Sequence, residues 1–325
     1  MPGPLSIRYL SRADVEAVAL DMPTAIGLLE AAFREQAAGR VEMPPKPGIH
    51  PRADAFIHAM PAAIPALGAA GIKWVSGFPG NPRRGLPYIS GLLILNDPET
   101  GFPTCIMDAT WLTGCRTGAA TALSARYLAR PDSEVIGILG CGVQGRTNLE
   151  ALATVLPIRR VLAYDIVPAA QQRYVEEMTA RLGLEVIPVD SPRSAVVESD
   201  LVVTAGPILK HPEPTIEAGW LRPGAFASAV DFDSYWRPAA LAQLDLLCTD
   251  HLAQFRYYRS VGYFDGTPDP VADLAGLVSG QAPGRTDPRQ RTMAMNLGLA
   301  LEDMAVAPEI HRRAVAQGVG RVLEL

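Results

Sequence analysis

One turn constrains this chain more than any other feature. The apolar run EVIGILG (134–140) has the length and composition of a buried strand, and it leads directly into Gly140-Cys141-Gly142-Val143-Gln144-Gly145. That GxGxxG turn opens a helical pattern over GCGVQGRTNLEALATVL, and RRVLAYD follows as a second strand. Strand, glycine turn, helix and strand over some 30 residues make one βαβ unit, whose crossover should be right-handed. The three glycines do different things. Gly140 makes the tight turn, Gly142 lets the backbone approach a diphosphate, and Gly145 lets the helix press on the strand. The diphosphate would rest on the exposed N–H groups at the positive end of the helix. Asp165 ends the second strand about 20 residues on, where an acid accepts hydrogen bonds from the ribose hydroxyls. It would repel a 2′-phosphate, and Ile166-Val167-Pro168-Ala169-Ala170 after it supply no arginine to neutralise one. The expected cofactor is therefore NAD, with NADP disfavoured. A plain βα turn beside a solvated acid is the alternative.

The alternation continues: a helix over PAAQQRYVEEMTARLG, a strand LEVIPV, a helix around SAVVES, a strand DLVVTAG, a turn and short helix to Gly224, then strands AFASAV and LDLLCTD. Such order predicts a doubly wound, Rossmann-type parallel sheet over 130–299. Before residue 130 the pattern is α+β. Ser11 with Asp14 reads as a capping box opening a helix over ADVEAVAL. A second helix follows Pro23, with Ile26, Leu29 and Phe33 on one face and Gly39 as its stop. AFIHAMPA, AGIKWVSGF, YISGLLILN and FPTCIMD read as strands parted by Pro/Gly turns. Trp111–Ala129 is helical, and so is Arg289–Val306, whose end would return with 300–325 to join residues 1–129.

Composition narrows the function. Twenty-nine basic against 34 acidic residues give a net charge of −5 in 325 residues, without the basic stripe that nucleic acid requires. No apolar run suits a signal peptide in MPGPLSIRYLSRADVEAV, and none approaches the roughly 20 residues of a membrane span. Four cysteines without a CxxC pair fit a reducing compartment, and five histidines without HxH or HxxxH spacing give no metal site. The expectation is a cytoplasmic protein that is an enzyme or a small-molecule binder.

Four segments together resemble the ornithine cyclodeaminase/mu-crystallin family: GIKWVSGFPGNPRRGLP (71–87), TGFPTCIMDATWLTGCRTGAATALSARYLA (100–129), VIGILGCGVQG (135–145) and LRPGAFASAVDFD (221–233). RTMAMNLGLALEDMA (291–305) looks like the family's closing helix. The resemblance covers about residue 40 to 306. It implies nicotinamide-dependent chemistry at the α-carbon of an amino acid or its imine. It also implies a homodimer joined through the first domains' sheets, making 1–129 with 300–325 the substrate-binding and dimerisation domain. By the same resemblance Lys73 holds the substrate carboxylate, Arg116 clamps an anionic group where cofactor meets substrate, and Asp233 is the catalytic acid. Tyr88, Val143, Gln144, Asp165, Val230, Arg237, Asn296 and Leu297 fall at positions lining the cofactor or the nicotinamide pocket.

Each assignment has a structural alternative. Lys73 could be an exposed strand lysine, Arg116 could pair with Asp108, and Asp233 could cap the helix after Trp236, with Asp231 competing for any acid role. The chain also departs from the family pattern. Where cyclodeaminases carry an arginine, VEMPPKPG offers Lys46, which keeps the charge but loses the fork. His58 stands where a glutamate would take a distal amine, as a pocket-lining or sheet histidine. Asp231 and Phe232 replace the usual glycines. These changes favour an imine reductase or amino-acid dehydrogenase over a true cyclodeaminase, with a mu-crystallin-like dinucleotide binder as the third reading.

Overall fold

The computed structural model describes residues 5–325, so the first four residues of the opening stretch read for a signal peptide lie outside the described residues. The chain divides into two compact units: the described residues up to Arg116 with Leu299–Leu325, and Thr117–Gly298.

The first unit holds a seven-stranded sheet. Its elements are β1 (Ser6–Leu10), α1 (Arg12–Ala17), α2 (Met22–Ala37), β2 (Gly48–Ile49), β3 (Phe56–Ile64), β4 (Ala69–Gly77), β5 (Ile89–Asn96) and β6 (Pro103–Asp108). The start of α3 (Thr110–Leu128), then α10 (Ala300–Gln317) and β15 (Arg321–Glu324), complete it. Strand order is β15-β1-β6-β5-β4-β3-β2. The expected strands β3 to β6 form an antiparallel meander, while β1 runs parallel to β6 and antiparallel to β15. The Ser11–Asp14 capping box is present, and Asp21 caps α2 through the Thr24 N–H. Ile26, Leu29 and Phe33 are fully buried, as their spacing requires. Alternation along β4 sends Lys73 and Val75 inward, on the side where α10 packs, and leaves Trp74 half exposed.

The second unit is an all-parallel sheet of eight strands. From the rest of α3 the chain runs through β7 (Val135–Leu139), α4 (Val143–Ala153), β8 (Arg160–Tyr164), α5 (Pro168–Leu182), β9 (Glu185–Pro188), α6 (Pro192–Val196), β10 (Leu201–Thr204) and β11 (Phe226–Ala229). It continues with α7 (Pro238–Leu241), β12 (Leu246–Thr249), α8 (Leu252–Ser260), β13 (Ala272–Asp273), α9 (Leu274–Ser279) and β14 (Thr292–Met295). The order β13-β12-β14-β11-β10-β7-β8-β9 reverses direction at β7 and β10, the doubly wound arrangement. Ligands in such sheets lie beyond the carboxyl ends of the strands at that switch point.

Two sequence expectations fail. Arg289–Val306 is not one helix: Thr292–Met295 is the buried strand β14 between β11 and β12, and α10 starts only at Ala300. Helix propensity in MAMNLGLALED loses there to two ready ladder partners. No helix forms before Gly224 either, because Pro207, Pro212, Pro214 and Pro223 deny it the N–H groups it needs.

Candidate active site

The glycine turn leaves the carboxyl end of β7, and its three glycines differ in what surrounds them. Gly140 has φ +103°, and a Cβ there would lie 2.6 Å from the Ala205 carbonyl oxygen in the loop after β10. At Gly145 a Cβ would collide with the Gly140 carbonyl oxygen, so the start of α4 lies against the strand end. Gly142 is unlike both: its φ is −86° and a Cβ would meet nothing within 4 Å. The fold therefore requires glycine at 140 and 145, while at 142 the bare backbone faces open space.

Gly142 is also the N-cap of α4, with no side chain of its own to accept from the first N–H groups, and no acid stands in the first turn. Those orphan N–H groups and the helix dipole suit a diphosphate, so the residues present fit a dinucleotide. Val143 is exposed and Gln144 half-buried beside it. Asp165 accepts from Cys141 N–H with Oδ2 and from Val167 N–H with Oδ1, both at 2.8 Å. Each oxygen keeps a lone pair for a ribose hydroxyl. Arg146, the guanidinium carried by this turn, is engaged by Glu177 at 2.8 Å and by the Cys141 and Gly142 carbonyls.

Further along the same carboxyl edge, Val230 follows β11 while Asn296 and Leu297 follow β14 and are buried. Asn296 donates to Ser124 Oγ at 3.4 Å, and its Oδ1 has no hydrogen-bond partner among the described residues. Arg237 stands apart: exposed, at the N-cap of α7, with Glu217 4.0 Å away.

The two aspartates after β11 sit in different surroundings. Asp231 is fully buried and spends both oxygens within the fold, Oδ1 on Thr204 Oγ at 2.7 Å and Oδ2 on Gly206 N–H at 2.9 Å. It ties the end of β11 to the loop after β10, the loop that Gly140 faces. Burial pushes its carboxyl up to about 7. Phe232, between the aspartates, adopts φ +63° and joins a cluster of Tyr258, Tyr263 and Phe264. Asp233 accepts from Thr267 Oγ at 2.9 Å, and burial raises its pKa too. It does not cap the next helix, whose N-cap is Arg237.

In the first unit the cationic candidates converge. Lys73 is not an exposed strand lysine: it is 0% exposed, with Nζ 2.7 Å from Asp303 Oδ1 and 3.2 Å from Thr113 Oγ. Arg116 does not pair with Asp108, which accepts from the Thr110 N–H and hydroxyl at the start of α3. It donates from Nε to Asp303 Oδ1 at 3.1 Å and from Nη1 to Glu302 Oε2 at 2.7 Å. Burial, then the neighbouring Arg116, brings Lys73 down to about 7. Lys46 is buried as well, and its charge joins burial in holding His58 neutral, down to about 3. The His58 ring stacks on Phe56 with centroids 4.3 Å apart. Tyr88 stands half-buried just before β5. Sequence reasoning missed Glu302 and Asp303. Their one signal was an acidic pair inside the apolar run LALEDMAVA.

Comparison with known proteins gives the family of the chain. The profile described as the ornithine cyclodeaminase/mu-crystallin family matches residues 8–318. Alanine dehydrogenase of Archaeoglobus fulgidus is 35% identical over 96% of both chains. Among solved structures, Thermococcus litoralis Δ1-pyrroline-2-carboxylate reductase, in complex with NADH and L-proline, superposes with a TM-score of 0.89 at 33% identity, over 97% of this chain and 99% of that one. An archaeal alanine dehydrogenase dimer with bound NAD gives 0.87 at 32% identity, over 99% and 100%.

Proposed function

The chain belongs to the ornithine cyclodeaminase/mu-crystallin family and is an NAD-dependent oxidoreductase of amino acids or their imines; from that premise we propose that it runs net redox chemistry, as an imine reductase or amino-acid dehydrogenase. The observation that carries this reading is the set of buried cations in the first unit's cluster. Asp303 and Glu302 hold Lys73 and Arg116 side by side, and the charge of Lys46 acts on both Lys73 and His58. These cations suit the carboxylate of a substrate. A diamino acid would add a distal ammonium beside a neutral His58 and beside Lys46, whose charge opposes it.

The first unit binds substrate in this proposal, and the second binds the dinucleotide. Lys73 and Arg116, with Lys46, hold the carboxylate and draw electron density from the α-carbon. Holding the substrate in one orientation supplies much of the rate. Asp233 accepts or donates the proton on the substrate nitrogen, its raised pKa bringing it nearer neutral pH. Asp231, whose two oxygens are committed, shapes the cofactor loop. Gly142 and the start of α4 hold the diphosphate, Asp165 the adenosine ribose, and Val230, Asn296 and Leu297 stand along the same carboxyl edge. Bound NAD supplies the hydride acceptor, and NADH the donor.

A homodimer and a cytoplasmic location complete the proposal. No helix among the described residues is long and apolar enough to cross a membrane, and the four cysteines are buried and in no disulfide. Trp74, 50% exposed, pairs across β4–β5 with Leu92, 48% exposed, on the sheet's outer face, which suits a second copy. Trp74→Asp should halve the mass seen by light scattering. The activity is tested by following NADH absorbance and ammonia together, with α-keto acids plus ammonia, cyclic imines, and ornithine. Stoichiometric NADH oxidation by a keto acid or imine supports the proposal. Ammonia release from ornithine at constant NADH would replace it with a cyclodeaminase.

A further inference from the structure

Of the 29 basic residues only Lys46, Lys73 and Lys210 are lysines, and two of these three are buried in the first unit's cluster. The distinction is chemical. A guanidinium keeps its charge wherever it is buried, whereas a buried ammonium keeps it only with help. Lys73, at full burial, also has Arg116 and Lys46 opposing its charge and a neutral His58 nearby. The groups that oppose this are on the first turn of α10. Asp303 Oδ1 accepts from Lys73 Nζ and Arg116 Nε together, and Glu302 takes Arg116 Nη1. Consecutive residues splay about 100° apart on a helix, so each carboxylate meets a different part of the cation pair. The positive end of α10 favours their negative charge. Glu302 Oε1 and Asp303 Oδ2 are nevertheless buried without a hydrogen-bond partner among the described residues, a cost that stability alone would not retain.

We propose that Asp303, seconded by Glu302, is a positioning residue for substrate binding: it keeps the Lys73 ammonium charged and fixes Arg116 beside it, so that a substrate carboxylate meets two preset cations. This rests on the reading of Lys73 and Arg116 as the carboxylate anchors. The sign of the effect follows from the neighbours. Without the Asp303 charge, burial and Arg116 act on Lys73 unopposed, and it loses its proton at lower pH.

The test uses full-length enzyme saturated with NADH and labelled with ¹³C at lysine Cε. Three lysines give three resonances, and Lys73→Arg identifies the relevant one. In the wild type, Lys73 should titrate near 7, and kcat/KM should fall on the alkaline side with the same midpoint. Asp303→Asn should move both midpoints to lower pH by one unit or more. Each unit lowers the charged fraction at higher pH about tenfold, so KM should rise about tenfold while kcat changes less. Asp303→Glu should restore most of the shift. Unchanged midpoints in Asp303→Asn overturn the proposal. So does a wild-type Lys73 resonance that is already neutral below pH 6, a measurement that needs no variant to fold. Lys73→Ala separates the two layers: an unchanged KM there sinks the anchor reading itself, whereas a raised KM with unmoved midpoints in Asp303→Asn removes only the positioning role.

Discussion

Replacing Gly142 and Gly145 one at a time by alanine separates what the glycine turn does for the fold from what it does for the cofactor. At Gly145 the new Cβ would collide with the Gly140 carbonyl oxygen, a backbone atom that cannot rotate away. Relief requires α4 to move off β7, and overpacking of this kind costs on the order of 1–3 kcal/mol. For a unit of this size that is a fall in Tm of very roughly 2–12 °C, at about 2–4 °C per kcal/mol. At Gly142 the same methyl meets nothing within 4 Å, and φ is −86°, which any residue adopts. Gly142→Ala should therefore keep the wild-type Tm or gain slightly, since alanine restricts the unfolded chain by about 0.4–1 kcal/mol. Its cost should appear only with cofactor, because the methyl fills the space in which a diphosphate approaches the α4 N–H groups. Titrating NADH by its fluorescence should show affinity weakened at least tenfold, about 1.4 kcal/mol. Scanning calorimetry without and with NADH reads both quantities on one sample. A Gly142→Ala protein that binds NADH normally, or that melts early without it, would refute the assignment of this turn.

Asp233→Asn should lower kcat by roughly 100-fold with NADH affinity near wild type, because it removes a proton carrier and little else. An active Asp233→Asn beside a dead Asp231→Asn would exchange their roles. Asp231 predicts a pH effect on stability. Its folded pKa, about 7, lies above the ordinary 3.8, so its contribution is complete below about 3.8 and is lost as pH rises through 7. The Tm of Asp231→Asn, measured against wild type from pH 4 to 8, should gain on it across that window, and a constant difference would contradict the burial argument. Asp165→Ser should narrow the preference for NAD over NADP in parallel titrations. It should also weaken NAD itself, because Cys141 N–H loses a charged partner worth about 1.5–3 kcal/mol.

Local rules made much of this fold legible. The Ser11–Asp14 box, the Ile26–Leu29–Phe33 face, the alternation of β3 to β6 and the glycine turn each follow from spacing and residue chemistry within a few positions. Where partners distant in sequence decide, local rules fail. Thr292–Met295 is a strand because β11 and β12 flank it, although its residues suit a helix. The short strands β1 and β15 form by pairing with strands distant in sequence and carry too little periodicity to detect alone. The same limit applies to the candidate site. Family resemblance singles out Lys73 and Arg116, but their ion partners lie 230 and 186 residues away, respectively, in an apolar segment. No spacing rule joins residues so far apart. Asp231 is legible as a departure from the family's glycine, whereas its bonds to Thr204 and Gly206 are visible only in three dimensions.

Net hydride exchange with the α-carbon of a carboxylate-anchored substrate is tested most directly with NADH carrying deuterium at the transferable C4 position. The substrates are a panel of α-keto acids with ammonia, alongside cyclic imines. Mass spectrometry of the amino-acid product should find one deuterium on the α-carbon for each NADH consumed, with methyl esters of the same substrates turned over poorly. Product without deuterium at the α-carbon, or turnover that leaves NADH unconsumed, would contradict this chemistry.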